Sequence, residues 1–257
     1  MQEKTLTGGR SYYLDIARTI AIISISLNHA VNRTYDNYFG QMEEFLESSY
    51  LSSLLKSVVT VFSHLGVPLF LMISGALLPA LNSLLVLRDI PPMDTAVYLF
   101  NLCSIYYLYV FIGYFISQGG LQRLRTGEVA VLTVLLFALI CGYQLYAYSD
   151  WVDYLVDYDF PLLLLCAMGL LELLRRGAEH LRGLRPVVTY LAKISFGVYF
   201  IHILIMSLLE WNMNFDGWAR SLKLLFLEGV SVGGSILLIA LFSGIPFCRR
   251  RMFGIKG

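Results

Sequence analysis

Charge is scarce in this chain: of 257 residues only 14% are Asp, Glu, Lys or Arg, while 57% are hydrophobic. That balance excludes an ordinary soluble domain of this size and points to one membrane-embedded unit spanning residues 1–257. No basic run is long enough to argue for nucleic acid, and the formal net charge is +1. Cysteine is also sparse. Cys103, Cys141, Cys166 and Cys248 are scattered through apolar stretches without paired spacing, which supports neither a disulfide framework nor a metal site. Glycine-rich nucleotide loops, metal-ligand clusters and nucleophile elbows are missing as well, so a soluble-enzyme mechanism is not indicated. The first apolar run contains Arg18 and lacks a small-x-small cleavage site, so it reads as a retained span and not as a cleaved leader.

What is present is a series of long apolar runs. They predict an all-α, polytopic helical bundle of about seven to eight transmembrane helices. The runs fall near residues 12–31, 50–87, 96–117, 129–148, 160–174, 189–210 and 222–247. Residues 50–87 exceed one simple span, and Pro68 after Gly66 predicts a break within them. Ser74, Gly75 and Ala76 form a small-residue patch suited to close helix contact. Tyr106, Tyr107, Tyr109 and Tyr114 read as interfacial aromatics. Arg175, Arg176, Arg182 and Arg185 mark a cytoplasmic loop, and Arg249 to Arg251 close the chain on the same side. Seven spans would separate the two ends, whereas the charge bias asks for an even number. The discrepancy falls between residues 78 and 128.

The first run carries the chemistry. Asp15, Arg18 and His29 lie inside it, and ionisable groups at bilayer depth are expensive and functional by default. At about 100° per residue, Asp15, Arg18, Ile22, Ser26, His29 and Arg33 fall within an arc of roughly 80°, one polar stripe on an otherwise lipid-compatible helix. Asp15 and Arg18, three apart, can pair. An imidazole with an unperturbed pKa of about 6.5 suits proton transfer, and a guanidinium suits an anionic ligand. A blander reading is also open, in which Arg18 snorkels to one interface while His29 sits near the other. Ser195, Tyr199 and His202 share a face of the run at 189–210, where an interhelical hydrogen bond or a channel lining would each explain them. His64 has a weaker claim and His180 none. Glu172 should pair with Arg175 and Arg176.

Three stretches together carry a family resemblance. RSYYLDIARTIAIISISLNHA, with an Arg, ten residues and then a His at Arg18 and His29, resembles the first span of bacterial acyltransferase family 3. GVPLFLMISGALL at 66–78 and KISFGVYFIHI at 193–203 resemble that family's second and late-span motifs. The resemblance implies an integral-membrane O-acyltransferase of the bacterial plasma membrane, with both termini cytoplasmic. It implies acetyl-CoA as donor, with no bound cofactor, and a sugar hydroxyl of a cell-surface glycan as acceptor. His29 would then be the base or a transient acetyl carrier, and Arg18 would orient the donor or bind its phosphate. Asp15, Ser26, Arg33, Ser74, Tyr199 and His202 would bind substrate. The family's Arg-x-x-Arg loop is represented only by Arg88, since Leu85 stands in the partner position, and the middle of the chain looks shortened. A shortened relative acting as a membrane carrier or binding protein is the alternative.

Overall fold

The structure, a computed structural model, describes residues 11–35, 50–77, 104–149, 156–158 and 160–243. Cys103, Cys248, Leu85, Arg88 and the three terminal arginines lie outside the described residues. The elements are α1 (Tyr12–Tyr35), α2 (Tyr50–His64), α3 (Gly66–Ala76), α4 (Ser104–Ser117), α5 (Thr126–Ser149), α6 (Pro161–Gly177), a 3-10 segment (Ala178–Leu184), α7 (Arg185–Asn212) and α8 (Arg220–Phe242). No strand occurs among the described residues, and the chain is an all-α membrane bundle. Five stretches are long and apolar enough to cross a bilayer, one of which contains both α6 and α7, and Tyr106–Ser117 adds a shorter apolar helix.

Local chemistry accounts for the breaks. Pro68, which has no N–H, sits in the first turn of α3, and the chain kinks at Leu65 between α2 and α3. Residues 51–76 together make one stretch long and apolar enough to cross a bilayer, interrupted at Leu65. Pro161 opens α6 with its φ already suited to a helix, and Arg175 and Arg176 close it against the negative end of the macrodipole. Between α7 and α8, the Asn214 side chain accepts the Asp216 N–H at 2.7 Å. Gly217 then takes the left-handed backbone (φ +78°) that completes the turn.

The opening helix is central, which corrects the picture of a lipid-compatible rod with one polar stripe. In α1, 72% of the most apolar window is buried inside the protein, against 28% in α5 and in α8. It packs against α2, α3, α6, α7 and α8. Leu14, Ala17 and Ala21 join the core built with α2 to α6. Ile22 packs with Ile194, Val198 and Ile239, and Ala30 and Val31 pack with Met206, Leu224 and Leu227. The bundle thus has two parts, α2–α6 and α7–α8, that meet chiefly through α1 and the 3-10 segment.

Two polar arrangements fix the α2–α6 part. Glu172, fully buried, accepts from Arg175 Nε at 2.8 Å, Arg175 Nη2 at 2.9 Å and Arg176 Nε at 2.5 Å, as their spacing predicts. Arg176 also donates to the Leu121 and Leu124 carbonyls at 2.6 and 2.8 Å, tying the turn before α5 to the end of α6. Tyr109, grouped with the interfacial tyrosines by sequence, is instead fully buried and donates to the Tyr158 carbonyl at 2.6 Å. Tyr106 and Tyr114, turned away from Tyr109 on the same helix by about 60° and 140°, are exposed.

Glycine sets the closest crossing. A Cβ on Gly75 would collide with the backbone of Val110, and one on Gly113 with the backbone of Met72. The small-residue patch therefore seats α4 on α3, backbone against backbone. Gly75→Val should destabilise the bundle by about 1–3 kcal/mol or prevent its assembly, because neither helix backbone can yield cheaply. Thermal unfolding in detergent, with Gly127→Ala as a control in open space, checks this.

Candidate functional site

A cavity of about 900 Å³ lies where α1 bridges the two parts of the bundle. Its floor is α1, contributing Arg18, Ile22, Ile25, His29 and Asn32 at spacings of four, three, four and three, with Asn28 at the margin. Such spacing keeps the five within about 40° of their common direction on the helix. One wall comes from Val67, Phe70, Leu71, Ile73, Ser74 and Leu77 of α3, and the other from Ala192, Lys193, Ser195, Phe196 and Tyr199 of α7. The distal end is closed by Thr60 and His64 of α2, Gln144 of α5, and Val156, Asp157 and Tyr158.

The lining changes character along α1. Arg18 and Lys193 stand at one end, near the 3-10 segment, which arginines flank on both sides and which α1 meets through Tyr12, whose hydroxyl donates to the Leu181 carbonyl at 2.7 Å. Two turns of isoleucine follow. His29 then begins a hydrogen-bonding end. There Asn28 donates to the Tyr158 hydroxyl at 2.9 Å and accepts from Asn32 at 2.9 Å. His64 bonds the Thr60 carbonyl through Nδ1 at 2.8 Å and lies 5.5 Å, ring to ring, from Tyr158. Thr60 is 2% exposed, and its hydroxyl has no hydrogen-bond partner among the described residues. By helix rise, His29 stands about 16 Å from Arg18.

The residues expected to share the stripe do not all share the cavity. Arg18 and His29 line it, as do Ser74 and Tyr199. Asp15 does not; it is 3% exposed and flanks Arg18 at 3.9 Å. Ser26 turns toward α8 and donates to Glu228 Oε2 at 2.8 Å. Arg33 turns toward α7, pairing with Glu210 Oε2 at 2.5 Å and donating to Ser207 Oγ at 3.1 Å. The physical reason is rotation. Asp15, Ser26 and Arg33 lie some 60–80° round the axis from Arg18, on the face that packs into α7 and α8. Ser26 and Arg33 therefore join α1 to α8 and α7 and do not line the cavity, and Asp15 sits beside Arg18. His202 is fully buried behind His29, with ring centroids 5.4 Å apart, and is not part of the lining. Ser26→Ala should leave acyl transfer within about twofold while costing roughly 1–3 kcal/mol of stability, since Glu228 loses a buried partner. Paired activity and melting measurements separate the two effects.

The acyltransferase-domain family model matches residues 11–92 and 84–243. The chain belongs to acyltransferase family 3. As a family member it is a membrane acyltransferase, with its cavity framed by the three stretches that carried the resemblance: α1, α3 and the middle of α7. The two matched segments overlap at residues 84–92, around Leu85 and Arg88. No curated protein and no solved structure matches the chain.

Residues of the distal end escaped sequence reasoning. Asn28, Asn32, Thr60, Gln144, Asp157 and Tyr158 are spread over 131 positions, and no spacing rule joins them. Asn28 alone left a signal, an amide one residue from His29 within an apolar run.

Proposed function

We propose that this acyltransferase moves an acetyl group from acetyl-CoA to a sugar hydroxyl of a cell-surface glycan or its lipid-linked precursor. It would do so in the bacterial plasma membrane with both termini cytoplasmic. The observation that carries the reading is that Arg18 and His29 line one cavity, about 16 Å apart along a single helix.

Arg18 stands at the end nearest Arg175, Arg176, Arg182 and Arg185, and an arginine-rich end belongs on the cytoplasmic side. A guanidinium there, with Lys193 across from it, meets a phosphate of the donor arriving from the cytoplasm. The apolar waist at Ile22, Ile25, Phe70 and Phe196 takes the donor's thioester arm and excludes water. The amides, hydroxyls and carboxylate of the distal end offer both donors and acceptors, as a polyhydroxylated acceptor requires.

His29 lies between them. Its unprotonated nitrogen takes the proton of the acceptor hydroxyl as that oxygen attacks the thioester carbonyl carbon. The tetrahedral intermediate collapses, the carbon–sulfur bond breaks, and the thiolate leaves with the proton held by His29. The ester, free CoA and the starting imidazole are the products, so atoms and protons balance.

Mass spectrometry of surface polysaccharide from cells with and without the gene tests the reading. Acetyl groups lost on deletion and restored by the wild-type gene are expected. An unchanged polysaccharide, together with no consumption of acetyl-CoA by the purified protein, would instead favour a carrier or binding role.

A further inference from the structure

The nearest titratable neighbour of His29 behind the cavity wall is a second histidine whose hydrogen bonding is half complete. His202 lies on α7 at 0% exposure. Its Nδ1 sits 2.9 Å from the Val198 carbonyl oxygen one turn back. A carbonyl can only accept, so Nδ1 carries the hydrogen, and in the neutral ring Nε2 is then a lone-pair acceptor. That Nε2 is buried and has no hydrogen-bond partner among the described residues. A buried acceptor left unpaired is costly, and a chain gains by giving it a donor.

The donor is close. The His29 and His202 rings lie 5.4 Å apart, centroid to centroid, tilted by 47°. His29 lines the cavity and His202 does not, so the second ring is behind the first as seen from the reaction space. Tyr199, 6.1 Å from His202, faces the cavity beside them.

We propose that His202 is a positioning residue for His29: during turnover its Nε2, unpaired in this structure, accepts the N–H of the His29 nitrogen turned away from the cavity once the adjacent ring closes up to it. This holds the tautomer whose other nitrogen presents its lone pair to the acceptor. The arrangement resembles a carboxylate behind a catalytic imidazole, with a neutral ring in the carboxylate's place. A neutral acceptor is cheaper to bury at bilayer depth than a charge. The Val198 carbonyl fixes the orientation of His202 in turn, so the order from outside inward is carbonyl, imidazole, imidazole, hydroxyl. The inference rests on His29 acting as the base, but it predicts a ring state that can be read without turnover.

Two measurements on the full-length protein in nanodiscs test it. In ¹⁵N spectra of histidine-labelled protein, with His29→Ala used to assign the His29 signals, wild type should show His29 in one neutral tautomer. His202→Phe should show both tautomers, and His202→Gln, whose amide oxygen can stand in for Nε2, should restore the single one. In acetyl transfer, His202→Phe should lower kcat about tenfold, the worth of one hydrogen bond, with KM for acetyl-CoA within about twofold. His202→Gln should recover most of the loss. An unchanged His29 tautomer in His202→Phe overturns the proposal, as does an unchanged kcat or a Gln variant no better than Phe. If the tautomer shifts as expected while wild type transfers no acetyl group, the positioning stands and the acyl-transfer reading of the site falls. Should His202→Phe fail to assemble, His202→Gln and His202→Asn give the same comparison. Asn shares the amide but is too short to reach, and it should behave as Phe does.

Discussion

His29→Ala is expected to lower acyl transfer by about 10²- to 10⁴-fold, the usual contribution of a positioned acid–base group. The protein should still reach the membrane in normal amount. The expectation is sharp because the packing around His29 is forgiving. The side chain is only half buried and borders the cavity, so truncation enlarges an existing space and opens no new one in the core. The loss should appear in kcat with KM for acetyl-CoA little changed, since the imidazole acts on the hydroxyl and not on the nucleotide. His64 is the natural control. It also lines the cavity, but its Nδ1 is engaged by the Thr60 carbonyl and its ring lies against Tyr158. His64→Ala should therefore cost far less. If the two substitutions are equally damaging, or His29→Ala retains wild-type turnover, the base has been misassigned.

Arg18→Ala should raise KM for acetyl-CoA about 10- to 150-fold, the equivalent of about 1.5–3 kcal/mol for hydrogen bonds to a charged group. The expected effect on kcat is smaller. Arg18→Lys should recover only part of the affinity, because an ammonium cannot offer the planar fork that meets two phosphate oxygens at once. One complication can be controlled. Asp15 lies 3.9 Å from Arg18 and is 3% exposed, so removing the guanidinium takes one cation from a buried carboxylate. The double variant Arg18→Ala with Asp15→Asn relieves that strain. If it recovers donor affinity as well as stability, Arg18 serves the fold and not the donor. Acetyl-CoA titrations of the single and double variants in nanodiscs decide between them.

Much of this was legible in the sequence, for identifiable reasons. The long apolar runs announced the helices, and Pro68 announced the break between α2 and α3. The Arg–His spacing on α1 was readable because helical periodicity alone determines which residues share a side. What periodicity cannot supply is the direction that side faces. The arc from Asp15 to Arg33 was read as one stripe, yet neighbouring helices divide it, with Arg18 and His29 toward the cavity and Ser26 and Arg33 toward α8 and α7. The partner identities depend on contacts across 202 positions for Ser26 and 177 for Arg33, which no local pattern encodes. Tyr109 was lost among its exposed neighbours for the same reason, since its burial is decided by which way α4 is turned. Gly75 was anticipated as part of a small patch, but its counterpart Gly113 carried no such signal.

One uninterrupted helix carries both Arg18 and His29, and this makes α1 a ruler. The gap between them is counted in residues, not negotiated by loops, so it stays at about 16 Å however the flanking helices shift. Exchanging Ile22 or Ile25 for another apolar residue leaves that count intact. Inserting a single residue between them would lengthen the gap by only about 1.5 Å but swing the imidazole about 100° round the axis, off the cavity floor altogether. For this chain, the number of residues in the interval is a stricter requirement than their identity.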